Sequence, residues 1–303
     1  MSRQKNSAGL GGHTGLQHLK AYLMVAPAMV FLLLFTFYPM VNLAFLSFFE
    51  YNIVNPVKSF VGLRNYRELF FIKTDFLVAL RNTSMYTGSV VLSLIVMALL
   101  FALWLQKSTK VNRFVQTAIF TPHLVAMISC GLIWSWLMDS DRGVFNAVLG
   151  FFGLPGLRWL NSSRTAMMSV VIVSTWKSAG YYCLILLSAL KAIPGEIHEA
   201  AMLDNAGPVR KFFRITLPML SPQLFFLLIT ITINSFQVFD TIRIMTDGGP
   251  GNSTDAISYY IYRYAFQHFK VGYASAAGTV LMAILMGLTV VYFKFLARKV
   301  HYQ

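Results

Sequence analysis

Charge is scarce in this sequence. Only 12% of its 303 residues are Asp, Glu, Lys or Arg, about half the share found in soluble globular domains, which excludes an ordinary soluble enzyme and a disordered chain. Cysteine is scarcer still. Cys130 and Cys183 both lie in apolar runs, so no disulfide framework or metal cluster is available, and both read as small buried hydrophobes. The 11 acidic residues avoid the centres of the apolar runs. Carriers driven by protons or sodium generally use intramembrane carboxylates, so this absence argues against secondary transport, although backbone carbonyls can hold Na⁺. No G-x-x-x-x-G-K-[ST] phosphate loop occurs. No nucleophile stands beside a base, and His123, the one histidine in an apolar run, has no second ligand near it. Catalytic and metal-binding residues are therefore not expected in this chain, and any energy for pumping must come from another polypeptide.

What is present is apolar length. Hydrophobic residues make up 56% of the chain and mean hydropathy is +0.61. They fall in runs of about 20 or more, enough to cross ~30 Å of hydrocarbon at ~1.5 Å per residue. Six spans are expected, at about 22–48, 84–106, 114–138, 167–190, 219–239 and 274–296. No run alternates strictly between apolar and polar, which excludes a membrane β-barrel. The fold class is all-α, a polytopic membrane helix bundle. The first run is far longer than a signal-peptide core of ~7–15 residues and reads as an uncleaved anchor.

The net charge of +14 follows from topology. With both termini inside, the inner segments carry 13 Lys/Arg and 3 Asp/Glu, and the longer outer segments carry 11 and 8. Basic residues are enriched on the cytoplasmic side of membrane proteins; no nucleic-acid partner is needed to explain them. The expected organisation is a cytoplasmic tail over 1–21, a transmembrane domain over 22–297 and a second cytoplasmic tail over 298–303.

Helix association in lipid depends on close approach and polar contacts. The last span begins Ala274-Ser-Ala-Ala-Gly278 and continues through Ala283-x-x-x-Gly287. These spacings suit packing within the chain or against a second, similar subunit. Pro27 and Pro39 interrupt the first span, while Pro218 and Pro222 bracket the entry of the fifth. Such prolines kink or stop helices.

The inner loop over 191–218 is the most informative stretch. Pro194 suits a first turn and Gly207 a C-terminal cap, so a short helix is expected over about 195–206. Glu196 and Glu199 lie early in it, where negative charge suits the helix dipole. Ile197, Ala200, Ala201 and Asp204 share one face. A helix of ~12 residues is marginal alone. It lies on the membrane or docks into a cytoplasmic partner.

Glu199-Ala-Ala201, Asp204, Gly207 and Ile215-Thr-Leu-Pro218 resemble the EAA loop of the membrane subunits of bacterial ABC importers, with Gly six residues after the second Ala and Leu-Pro ten after that Gly. The resemblance extends to Phe60-Val-Gly-Leu-Arg-Asn-Tyr66, Leu80-Arg-Asn-Thr83, Thr175-Trp-Lys-Ser-Ala-Gly180, Phe239-Asp-Thr241 and the run Thr246-Asp-Gly-Gly-Pro-Gly-Asn-Ser-Thr254. Ala265-Phe266 through Gly272-Tyr-Ala274 fits as well, so the likeness covers residues 20–297. It is a likeness to the carbohydrate-uptake permeases of the maltose and glycerol-phosphate type. Asn205 departs from it, standing where the family usually has Gly or another small residue.

The resemblance implies a subunit in the bacterial cytoplasmic membrane with both termini inside. It implies a second six-span permease as heterodimer partner, two cytoplasmic ATPase subunits and an extracellular or periplasmic solute-binding protein. It further implies a coupling helix carrying Glu199, Ala200, Ala201, Asp204 and Gly207. ATP and Mg²⁺ would be bound by the ATPase, leaving no cofactor in this chain.

A sugar path needs amide or hydroxyl groups beside aromatic rings, facing a wet cavity. Asn234 and Gln237 share a face of the fifth span; Trp176, Lys177, Tyr181 and Tyr182 lie in the fourth. Asn and Gln also glue helices together, and Lys177 also suits snorkelling to the interface. An importer for glycerol phosphodiester or another polar solute is the alternative cargo. A channel or a membrane anchor for a cytoplasmic enzyme is the alternative class.

Overall fold

The computed structural model describes residues 15–54 and 56–296. The expected tail over 298–303 and residues 1–14 of the expected tail over 1–21 lie outside the described residues; residues 15–21 are described and belong to the first helix. Helix α1 (Gly15–Leu32) passes through Pro27 without breaking, then widens into a π turn at Leu33–Phe37 before α2 (Tyr38–Leu46). The widening sits just before Pro39, whose ring crowds the preceding turn and supplies no N–H. A short antiparallel pair, β1 (Phe49–Glu50) and β2 (Ser59–Phe60), follows. The bundle is then built from α3 (Asp75–Trp104), α4 (Lys110–Leu124), α5 (Met127–Leu137), α6 (Val144–Phe151), α7 (Ala166–Lys191), α8 (Gly195–Leu203), α9 (Ser221–Phe236), α10 (Asp240–Met245), α11 (Ile257–Tyr262) and α12 (Val271–Val291).

Four helical stretches are long and apolar enough to cross a membrane, or six if each bent pair counts as one span. The third expected span is broken in its middle, and the fifth is entered through a bend at Leu220, between Pro218 and Pro222. Lys110–Leu124 meets Met127–Leu137 at 100°, and Pro208–Met219 meets Ser221–Phe236 at 65°. At the first elbow Val125 and Ala126 are extended (ψ 139° in both). Pro122, near the end of α4, leaves its turn one N–H short.

The core lies between α3, α7 and α9. Residues Ala79, Thr83, Tyr86, Val90, Leu94, Ala98 and Ala102 recur every three or four positions on α3 and are all buried, the signature of a helix packed along one stripe. Polar rungs tie α3 to α7: Tyr86 Oη donates to Ser174 Oγ at 2.8 Å, and Ser93 and Thr175 hydroxyls lie 2.9 Å apart. Helices α7 and α4 come close enough that a Cβ on Gly180 would stand 1.9 Å from the Ile119 carbonyl oxygen.

The segments around 47–83 and 252–257 are stapled by residues from the family-like motifs. Asn65 Nδ2 donates to the Ser47 and Phe49 carbonyls at 2.8 and 3.0 Å. Asn82 Nδ2 donates to the Asn252 and Asp255 carbonyls at 2.8 and 3.0 Å, and the Ile257 N–H donates to Thr83 Oγ1 at 2.9 Å. These side-chain amides tie distant stretches of backbone together through their carbonyls.

The small-residue stripe of α12 divides in two. Ala274, Ser275, Ala276, Ala277 and Gly278 are buried within the chain, with Gly278 against Leu43 of α2. Ala283 and Gly287 are exposed, and nothing stands within 4 Å of a Cβ built on Gly287.

Candidate substrate pocket and coupling helix

Two features carry the functional residues. The first is a pocket of about 250 Å³ between α3, α5, α7, α9 and α10. Lys177, Tyr182, Asn234 and Gln237 of the expected path residues line it. Tyr182 is hydrogen-bonded to Asn234. Trp176 and Tyr181 do not line it, which corrects the expectation that they do. Trp176 leaves the opposite side of α7 and meets Trp134 edge-on at 5.1 Å; Tyr181 stacks on His123 at 4.5 Å. Helical geometry accounts for Trp176, which stands two residues from both Ser174 and Ser178 and so leaves the far side of α7; Tyr181 follows Lys177 by four residues on nearly the same face, and its ring is turned aside onto His123.

The pocket also draws on residues that were not anticipated: Ser174, Ser178, Asp240 and Thr241. The signal was present in the spacing. Ser174, Ser178 and Tyr182 recur at i, i+4 and i+8, while Asn234, Gln237 and Thr241 recur at i, i+3 and i+7.

Lys177 lies on the pocket wall, but its ammonium is committed elsewhere. Nζ donates to the carbonyl oxygens of Pro122, His123 and Val125 at 3.1, 3.1 and 2.6 Å. Those carbonyls lie at the C-terminal end of α4, where intrahelical partners run out and the helix dipole is negative. An ammonium has three protons, and the three carbonyls match them. Lys177 is the clamp of the α4–α5 elbow.

The second feature is α8. It spans Gly195–Leu203, shorter than the expected 195–206. Asn205 takes a left-handed φ of 53°. Its N–H bonds to the Met202 carbonyl at 3.0 Å, and the Ala206 N–H bonds to that of Ala201 at 3.0 Å. This is the paired closure that ends many helices. Gly207 is therefore not the C-terminal cap; it precedes the next helix, with φ −61° and ψ 160°, and its carbonyl accepts from the Lys211 N–H. Asn tolerates the left-handed region because its short amide finds local partners, so the departure at 205 preserves the stop.

Burial also divides the expected common face of α8. Ala201 is buried and Ile197 half-buried, so that side turns into the chain. Glu199, Ala200 and Asp204 are exposed, beside two large apolar side chains, Met202 at 65% and Leu203 at 89% exposure.

Two acid–base pairs flank the Gly-rich loop. Arg243 pairs with Asp247, which also accepts from Tyr259 Oη at 2.7 Å, and Arg263 Nη2 donates to the buried Asp255 at 2.6 Å. Gly248 has φ 80°, and a Cβ there would lie 2.8 Å from the Tyr259 ring. Burial pushes the Asp255 carboxyl up to about 6; Arg263 opposes the shift and Asp75 adds to it. Its second oxygen, Oδ1, has no partner. Burial also works on Asp247, but the Tyr259 hydroxyl and Arg243 outweigh it and hold that carboxyl below its ordinary value.

Because Asp255 binds its proton more tightly folded than unfolded, the loop gains stability as pH falls from about 6 toward the ordinary 3.8. Amide exchange over residues 247–257, corrected for intrinsic rates, should show less opening at pH 5 than at pH 7.5. The Asp255→Asn variant should flatten that difference; an unchanged difference would assign it to another group.

Comparison with known proteins places this geometry. Residues 94–302 match the family described as binding-protein-dependent transport system inner membrane component. The chain is 35% identical over 278 residues to the probable ABC transporter permease protein YurN of Bacillus subtilis, covering 90% of this chain and 94% of that one. It is 33% identical to the sulfoquinovosyl glycerol transport system permease protein SmoG of Agrobacterium fabrum, with 93% and 91% covered. It is 34% identical to the sn-glycerol-3-phosphate transport system permease protein UgpA of Escherichia coli, with 93% and 95% covered. Among solved structures it matches a bacterial ABC transporter involved in the import of the acidic polysaccharide alginate, with TM-score 0.82, 25% identity and 93% and 96% covered. A crystal structure of a bacterial alginate ABC transporter in complex with its alginate pentasaccharide-bound periplasmic protein has the same fold, with TM-score 0.83, 24% identity and 93% and 96% covered.

Proposed function

Since the chain belongs to the family of binding-protein-dependent transport system inner membrane components, we propose that it forms one half of a carbohydrate path and is driven through α8. The chain is a multi-pass membrane permease subunit of an ABC importer and is not itself an enzyme. Its partners in this reading are a second permease, two cytoplasmic ATPase subunits and an extracellular or periplasmic solute-binding protein. Both termini face the cytoplasm, as the basic inner segments require. ATP and Mg²⁺ belong to the ATPase.

The observation that carries the reading is the exposed surface of α8. A nine-residue helix held between α7 and the entry to α9 presents Met202 and Leu203 to water beside Glu199 and Asp204. Large apolar side chains rimmed by polar groups mark a protein contact. Motion of the ATPase pair reaches the pocket through the two elements that flank α8, since α7 carries Ser178 and Tyr182 and α9 carries Asn234. The pocket's amides, hydroxyls and aromatic rings suit a hydroxyl-rich solute. The relatives' cargoes, sulfoquinovosyl glycerol, glycerol 3-phosphate and alginate, share that chemistry.

The test is purification in mild detergent from cells producing all components. The wild-type chain should bring down a phosphate-loop ATPase and a second permease. A chain lacking 195–207 should reach the membrane, retain the second permease and lose the ATPase. Retention of the ATPase by that deletion would reject α8 as the docking element.

A further inference from the structure

Helix α6 (Val144–Phe151) is held on one side and bare on the other. On the held side Phe145 meets the Trp134 ring at 5.4 Å and the Trp159 ring at 5.8 Å. Asn146 Nδ2 donates to the Ser140 and Leu157 carbonyls, and its Oδ1 accepts from the Leu157 N–H and Trp159 Nε1, all at 2.8–3.0 Å. With that side fixed, Val144, Val148 and Phe151 share the other face at i, i+4 and i+7. All three are exposed, and Phe151 and Phe152 are 86% and 69% exposed.

The helix stands where α5 ends and α7 begins. Trp134 lies one turn before the end of α5 at Leu137, so the held side of α6 is level with the end of a membrane-spanning segment. The exposed stripe Ile128, Leu132 and Trp136 of α5 runs to the same end. Tryptophan concentrates at the depth of lipid headgroups.

Charge separates this face from a protein contact. From Gly143 through Leu157 the chain has no charged residue. Arg142 precedes that stretch and Arg158 and Arg164 follow it; none of the three forms a salt bridge among the described residues. Guanidinium groups suit lipid phosphates. Of the nearby acids, Asp141 is exposed, and Asp139 is spent on its own turn, accepting from the Asp141 and Arg142 N–H groups. On α8, by contrast, Met202 and Leu203 stand directly beside Glu199 and Asp204. A partner that docks and departs would leave the phenylalanines of α6 in water between visits, and apolar patches of that kind are rare on surfaces that stay wet.

We propose that α6 is an interfacial helix. It lies in the membrane surface at the end of α7 remote from α8, with Val144, Val148, Phe151 and Phe152 at the boundary of acyl chains and headgroups and the flanking arginines among the phosphates. It holds the connection between α5 and α7 at a fixed depth.

Spin-label accessibility tests this in the complete importer, reconstituted in liposomes of phosphatidylethanolamine and phosphatidylglycerol. With Cys130 and Cys183 replaced by Ala, a nitroxide is attached through Val148→Cys or Phe151→Cys, and through Asp141→Cys for comparison. All three side chains are exposed, so labelling leaves the packing of the chain intact. At 148 and 151 the label should collide several times more often with dissolved oxygen, which concentrates in lipid, than with a water-soluble nickel complex. At 141 the preference should reverse. Neither result should change when loaded binding protein is added. Free access of the nickel complex at 148 and 151 overturns the proposal, and loss of that access on adding binding protein would make the face its dock. Low access to both agents without binding protein also overturns it, and would place the second permease there.

Discussion

Replacing Leu203 with Asp lowers solute uptake by the assembled importer about a hundredfold, the effect of removing an interface side chain worth ~3 kcal/mol. The amount of protein in the membrane stays the same. Leu203 is 89% exposed, so the chain's own packing does not need it, and surface substitutions of that kind shift stability by only about 0.5 kcal/mol. The loss arises because a carboxylate is forced into a surface that the ATPase must cover. Nucleotide hydrolysis should persist but no longer respond to the loaded binding protein. The measurement is uptake and stimulated hydrolysis in proteoliposomes, normalised to incorporated protein. Ala201→Asp makes the contrast: that side chain is buried, so its substitution lowers the amount of folded chain. Normal uptake by the Leu203→Asp importer would remove the exposed face of α8 from the coupling route.

Lys177→Met should cost the chain about 3 kcal/mol, since hydrogen bonds to charged groups are worth roughly 1.5–3 kcal/mol each and part of the loss is recovered by water. Three carbonyls, of Pro122, His123 and Val125, lose their donor together. The elbow of 100° between α4 and α5 should loosen. Broader distance distributions between spin labels at positions 116 and 133, with a lower melting temperature in nanodiscs, report this. Lys177→Arg should restore only part of the loss, because a planar guanidinium spreads its donors over three nitrogens rather than converging them from one. A Lys177→Met chain of unchanged stability with weakened solute affinity would mean that the ammonium serves the solute and not the elbow.

These two residues show how far the sequence could be read. The spans were legible because a bilayer's thickness converts directly into a number of apolar residues. The family was legible because Glu199, Ala200, Ala201, Asp204 and Gly207 stand at fixed spacing. What a proline does was not legible. Pro27 passes through α1 while Pro122 precedes a 100° elbow. The difference is tertiary, because the freed carbonyls at Pro122 find Lys177 on another helix.

The same limit applies to α12, where two stretches of small residues read alike. Gly278 packs against Leu43 of α2 within the chain, whereas Ala283 and Gly287 are exposed among the described residues. Small residues permit close approach, and the arrangement of the other helices decides whether a neighbour is there. The path residues divide for two reasons. Trp176 leaves the far side of α7, as helix geometry dictates, whereas Tyr181 shares the face of Lys177 at four residues' spacing and is drawn off it by the His123 ring of a neighbouring helix, a tertiary contact. Asp240 was passed over because it lies just beyond the fifth apolar run and was counted with the outer loop.

A chain that gates but does not power transport makes a sharp demand on reconstitution. The most direct measurement is uptake of the cognate solute into liposomes containing this chain with its partner permease, with and without the ATPase pair, binding protein and ATP. Accumulation only in the complete, nucleotide-supplied system is the result expected here. Movement of solute, uphill or downhill, through the permeases alone would contradict it.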